Sequence, residues 1–71
     1  MRLRIDKEND ALYFRLDESK IVESEEVRPG VILDFDSKGR VVGVEFLGIA
    51  SRASGDELSS LQFQKIGRAH V

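Results

Sequence analysis

A chain of 71 residues makes one small domain, and a domain of that size buries only about 60% of its unfolded surface, so a lone core is marginal. It contains no cysteine, which excludes disulfide staples, thiol nucleophiles and thiolate ligands. Eleven basic and thirteen acidic residues give a net charge of −2. The basic ones are scattered rather than clustered, so no nucleic-acid footprint is expected.

The opening residues, MRLRID, hold no apolar leader, and no run approaches the ~18 apolar residues of a membrane span. The expectation is a soluble, cytoplasmic protein without a membrane partner. With no covalent staple available, association with another chain is the natural source of extra stability.

The first predicted element covers residues 2–6. Leu3 and Ile5 share one side, with Arg2, Arg4 and Asp6 on the other. Period-two alternation of this kind marks a half-buried strand. A polar KEND connection follows, and then a second strand over 11–17. In it Leu12, Phe14 and Leu16 oppose Tyr13 and Arg15, and the two strands read as a β-hairpin.

Residues 20–27 carry no clean apolar side and hold the dense acidic run Glu23, Glu25 and Glu26. They are expected to form a polar edge strand, because edge charges discourage stray pairing. Pro29 and Gly30 then close it, one lacking an amide donor and the other relaxing the backbone.

Thirty residues after the first hairpin its pattern returns over 30–36 and 40–47. Val31, Leu33 and Phe35 lie on one side, as do Val42, Val44 and Phe46. Leu3 aligns with Leu33, Asp6 with Asp36, Asn9 with Gly39, and Phe14 with Val44. The repeat is either an internal duplication or two hairpins that look alike. Asp6 and Asp36 suit the first position of a type I turn. Asn9 and Gly39 are expected to take the positive φ that follows, giving three-residue hairpin loops with a bulge. Gly43, inside its strand, marks a bulge or a close approach by Tyr13 or another backbone.

Beyond Leu47 the alternation stops. Ser54 with Glu57 three residues on matches a capping box, which starts a short helix over about 55–64. Leu58 and Leu61 would dock it. The last residues, KIGRAHV, can be encoded as AAG ATC GGA AGA GCA CAC GTC. From its second base this string resembles the adapter oligonucleotide used in high-throughput sequencing, and the next adapter bases supply a stop codon. Residues 65–71 are therefore expected to be a non-native tail after a domain at 1–64, read from a truncated metagenomic fragment; the alternative is a genuine basic C-terminus. Without Lys65 and Arg68 the eleven basic residues fall to nine against thirteen acidic, a balance of −4.

His70 is the only histidine, and it sits in that tail. Without histidine and cysteine the common nucleophile–base pairs cannot be built. Ser37 reads as turn filler and Ser54 as a helix cap. Glu23, Glu25 and Glu26 lack the loop spacing of a calcium site. Asp34, Asp36 and Glu45 alternate in phase on a polar side, yet so short a chain offers no cleft for a sugar. Arg4 and Arg15 are expected to form cross-strand pairs with carboxylates on that side. No catalytic, cofactor-binding or metal-ligating residue is assigned, no cofactor is expected, and the chain is not expected to be an enzyme.

Three ordered stretches carry a resemblance. They are Asp6, Lys7, Asp10, Ala11, Leu12 and Tyr13; then Pro29, Gly30, Val31, Ile32, Leu33 and Asp34; then Gly39, Arg40, Val41, Val42, Gly43 and Glu45. Over about residues 1–53 the chain resembles the family called domain of unknown function 2283. The resemblance implies a small, mainly antiparallel β domain without an assigned activity, some of whose relatives look like partners in two-gene modules of the toxin–antitoxin kind.

The expected fold is α+β, an antiparallel β meander of four to five strands, built from two similar hairpins, with a short C-terminal helix. Leu3, Ile5, Leu12, Phe14, Leu16, Val31, Leu33, Phe35, Val42, Val44 and Phe46 are expected to form one buried face. One helix hardly covers such a face, so a homodimer or a small partner protein is expected. The leading functional reading is a non-catalytic, antitoxin-like interaction module. The alternative is a small-ligand or metal-binding domain that uses its acidic polar face.

Overall fold

A computed structural model describes residues 1–60. Five strands form a single antiparallel sheet: β1 (Arg2–Asp6), β2 (Ala11–Arg15), β3 (Glu23–Arg28), β4 (Val31–Phe35) and β5 (Val41–Leu47). A 3₁₀ turn at Ile49–Ser51 and a helix α1 at Gly55–Ser59 follow. The class is α+β, and both anticipated hairpins are present. The spatial order β1-β2-β5-β4-β3 lays the hairpins side by side, with β2 against β5 and β3 added at the far edge.

The pairing between the hairpins has a simple geometry. Phe14 pairs with Val44, its own counterpart thirty residues on, and Leu12 pairs with Phe46. A pseudo-twofold axis normal to the sheet therefore passes through the Phe14–Val44 pair. Within the hairpins, Leu3 pairs with Phe14 as Leu33 pairs with Val44, and Arg4 pairs with Tyr13 as Asp34 pairs with Gly43. The match breaks near the second turn. There Phe35 pairs with Val41, so Val42 is the extra residue of a bulge beside Gly43.

The two turns also differ, which corrects one expectation. Gly39 takes positive φ (77°), and the Asp36 amide bonds the Arg40 carbonyl around a three-residue loop. In the first hairpin Asp6 pairs with Ala11 around four residues, and the positive φ (51°) falls on Asp10 rather than Asn9. The reason is tertiary. The Asp10 carboxylate accepts the Ala50 amide at 3.0 Å, and its carbonyl accepts the Ile49 amide at 3.1 Å. Asn9 instead donates its amide (3.1 Å) and its side chain (2.8 Å) to Asp6.

Strand β2 stops at Arg15, short of residue 17, because the chain bends into a turn where the Asp17 carboxylate accepts the Ser19 amide. Strand β3 starts only at Glu23. Beyond β5, Arg52 holds the chain to the β3–β4 turn, donating to the carbonyls of Leu47 (3.1 Å) and Pro29 (2.6 Å). Helix α1 begins where the sequence places it, with the Ser54 hydroxyl accepting the Glu57 amide at 3.1 Å. None of its residues is buried. The remaining part of the helix expected to residue 64, Leu61, and the tail at 65–71 with His70 lie outside the described residues.

The apolar residues do share one side of the sheet, as cross-strand partners must. They are not a closed core, however. Only Val42 of that set is buried, Ile5 and Leu16 are exposed, and the rest are half-buried. Among the described residues little lies above this single sheet layer, which by itself cannot enclose large side chains.

Candidate functional site

Polar side chains on the opposite side of the sheet converge on Asp34. Period-two alternation brings Arg4 of β1, Tyr13 and Arg15 of β2, Gly43 of β5, Asp34 of β4 and Ser24 of β3 to that side. The Tyr13 hydroxyl donates to Asp34 Oδ2 at 2.8 Å, and the Ser24 hydroxyl donates to Asp34 Oδ1 at 2.6 Å. Asp34 is buried, and both of its oxygens are thereby satisfied. Tyr13 reaches it by crossing β5 at Gly43. A β-carbon there would lie 2.6 Å from the Tyr13 hydroxyl and 2.9 Å from Asp34 Oδ2. Both readings of Gly43 thus hold, since it sits beside a bulge and under a close approach.

Around this network stand cations with unlike surroundings. The Arg4 guanidinium stacks on the Tyr13 ring, 5.8 Å from its centroid. Arg15 donates to the Tyr13 hydroxyl at 3.4 Å and to the backbone carbonyls of Asp17 and Ser19. Its pKa is raised, first by the hydrogen bond to Tyr13. The expected Arg–carboxylate pairs at Arg4 and Arg15 therefore do not form. The ion pairs among the described residues are Arg2–Glu18 at 2.9 Å and Arg40–Asp36 at 2.8 Å.

The carboxylates weighed as candidates are dispersed. Asp36 is buried within its own turn, where it accepts the amides of Lys38 and Arg40, both at 2.9 Å, and Arg40 Nε at 2.9 Å. The backbone hydrogen bond from Arg40, then its side-chain bond, hold the Asp36 carboxyl below its ordinary value, against the opposing effect of burial. Glu45 pairs across the sheet with Tyr13 and Ile32 rather than with Asp34. Glu23, Glu25 and Glu26 stay exposed on the β3 edge, and Glu26 caps the Gly30 amide at 3.0 Å. Among the described residues no three potential metal ligands come together. No described helix is long and apolar enough to cross a membrane.

The two faces of the sheet thus differ in chemistry. One is an apolar sheet face; the other is a rigid, hydrogen-bonded polar face. Residues 2–49 match the family described as Protein of unknown function (DUF2283). The chain belongs to that family. The match spans all five strands and stops at Ile49, two residues beyond the end of β5. No curated protein and no solved structure matches the chain. Membership in DUF2283 fixes no activity. The Tyr13–Asp34–Ser24 network is absent from the sequence reading because its members lie on three strands and are joined only by the β2–β5 pairing. Gly43 was the signal that pointed towards it.

Proposed function

We propose that this DUF2283 protein is a non-catalytic protein-interaction module whose apolar sheet face is covered by a partner. The partner is a second copy or the product of an adjacent gene, in an arrangement like that of an antitoxin and its toxin. One observation carries the reading: the apolar side of the sheet is half-open among the described residues, with Ile5 at 41% and Leu16 at 40% exposure. β3 turns Glu23 and Glu25 to this side, so the apolar area comes from four strands about 4.8 Å apart and near five residues long at ~3.3 Å, roughly 300 Å². Exposed apolar patches of about that size on a monomer are often functional. The acidic balance of the chain suits a basic partner by electrostatic steering.

Light scattering on the purified chain, together with co-expression and pull-down of the neighbouring gene product, tests this. A dimer or a stable hetero-complex is the expected result. A monomer at micromolar concentration that also fails to capture the neighbouring product overturns it.

A further inference from the structure

The two edges of the sheet are guarded unequally. β3 carries Glu23, Glu25 and Glu26, a bulge between Glu26 and Arg28, and Pro29 directly after it. These are the devices by which an edge refuses a foreign strand. β1, at the other edge, has none of the geometric ones. Its five residues pair regularly with β2, without bulge or proline. No other described segment hydrogen-bonds to its outer side.

The side chains of β1 are sorted by face. Leu3 and Ile5 continue the apolar side to the very edge. Arg2 and Arg4 project to the polar side and line, with Leu3, Tyr13 and Arg15, an open cleft along the strand. Arg2 is neutralised by Glu18. Arg4 has no carboxylate or carbonyl acceptor among the described residues; it rests on the Tyr13 ring and keeps its N–H groups available.

We propose that the outer edge of β1 accepts an added strand from a partner protein, and that this strand alternates apolar with acidic residues. Its main chain would extend the ladder. Its apolar residues would lie against Leu3 and Ile5, and an acidic one against Arg4. Charge decides against a second copy as the occupant. An antiparallel second β1 paired over its whole length sets Arg4 against Arg4, and the shifted register that faces Arg4 with Asp6 pairs only residues 4–6 of the strand. β3 of another copy lays either Glu23 and Glu25 or Glu26 against Leu3 and Ile5, whichever of its faces is presented. The inference stands apart from the apolar-face reading, because it concerns the edge and its main-chain groups.

The test uses the full 71-residue chain and a short synthetic peptide alternating valine with glutamate, with a valine–lysine peptide as control. Amide chemical shifts map the binding site and titration gives the affinity. The glutamate peptide is expected to perturb residues 2–6 and to bind about tenfold more tightly than the lysine peptide. N-methylation of its ladder-facing amides should abolish binding. Arg4→Glu should invert the preference, and Arg4→Gln should erase it, each in a protein whose remaining amide spectrum is unchanged. Three results overturn the proposal: no binding of either peptide, equal binding of both, or perturbation confined to the apolar face. Concentration-dependent shifts of residues 2–6 without peptide would also overturn it, by making a second copy the occupant. Light scattering reports separately on the apolar face.

Discussion

Tyr13 and Gly43 occupy equivalent positions in the two hairpins, and the large residue of one lies over the missing side chain of the other. The Tyr13 hydroxyl sits 2.6 Å from where a Gly43 β-carbon would be. The pseudo-symmetry is broken where it lets a phenol cross β5 and bond Asp34. Gly43→Ala should therefore destabilise the fold by about 1–3 kcal/mol through overpacking. Tyr13→Phe should cost about 1–3 kcal/mol by leaving buried Asp34 short of a donor. The double variant should be more stable than the sum of the two losses, because removing the hydroxyl relieves the clash. Urea denaturation of the four proteins measures this, and strict additivity would show that the contact is not shared.

Asp36 and Asp6 anchor the two turns, and both carboxyls titrate below their ordinary value. For Asp36 the Arg40 backbone bond is the main cause; for Asp6 it is the Asn9 side chain. A carboxyl depressed in the folded state binds its proton more readily when unfolded. Its stabilisation is present above the unfolded value of 3.8 and is lost as pH falls below it towards the folded value. The denaturation midpoint should thus be level from neutral pH down to about pH 5 and drop below it. Asp36→Asn should lower the neutral-pH midpoint and flatten the acid drop, which a pH series of urea melts reads directly.

Much of the sheet was legible in the sequence, because alternation along a strand is a local property. Leu3, Ile5, Leu12 and Phe14 declare their side of the hairpin without reference to anything distant. The position of the acidic edge strand was legible for the same reason. What depended on contacts between distant residues was not. Asn9 is a fair local choice for positive φ, yet Asp10 takes it, since its carboxylate meets Ala50 forty residues on. Arg15 looked poised for a carboxylate and instead bonds the carbonyls of the bend after β2. Ile49 lies where the alternation had already ended, and its burial follows from its bond to the first turn.

Asp10 is the one non-glycine residue with positive φ among those described, and it is held there by its contacts with Ile49 and Ala50. A side chain without an acceptor would keep the strain and lose the bond. Asp10→Ala should cost about 1–3 kcal/mol. Asp10→Asn, which tolerates the left-handed region and keeps an acceptor oxygen, should cost less. Asp10→Gly relieves the strain and loses the cap, and should fall between them. A different order in thermal melts would mean that the Ala50 contact contributes little.

Ile49 and Ser54 stand five residues apart and should respond in opposite ways. Ile49 is buried, with 6% exposure, and its amide is tied to Asp10 in the β1–β2 turn. Ile49→Ala should lower global stability by about 2–4 kcal/mol through a cavity in a core that has little else to close it. Ser54 caps α1, but α1 buries none of its own residues. Loss of a cap costs about 1 kcal/mol to the helix it starts. A helix so weakly joined to the sheet opens locally without the sheet, so Ser54→Ala should move the global midpoint by less than about 0.5 kcal/mol. Amide exchange should separate the two. Ser54→Ala should speed exchange only within α1, while Ile49→Ala should speed it in β1, β2 and β5 together. Faster exchange throughout the sheet in Ser54→Ala would show that α1 is energetically part of the core.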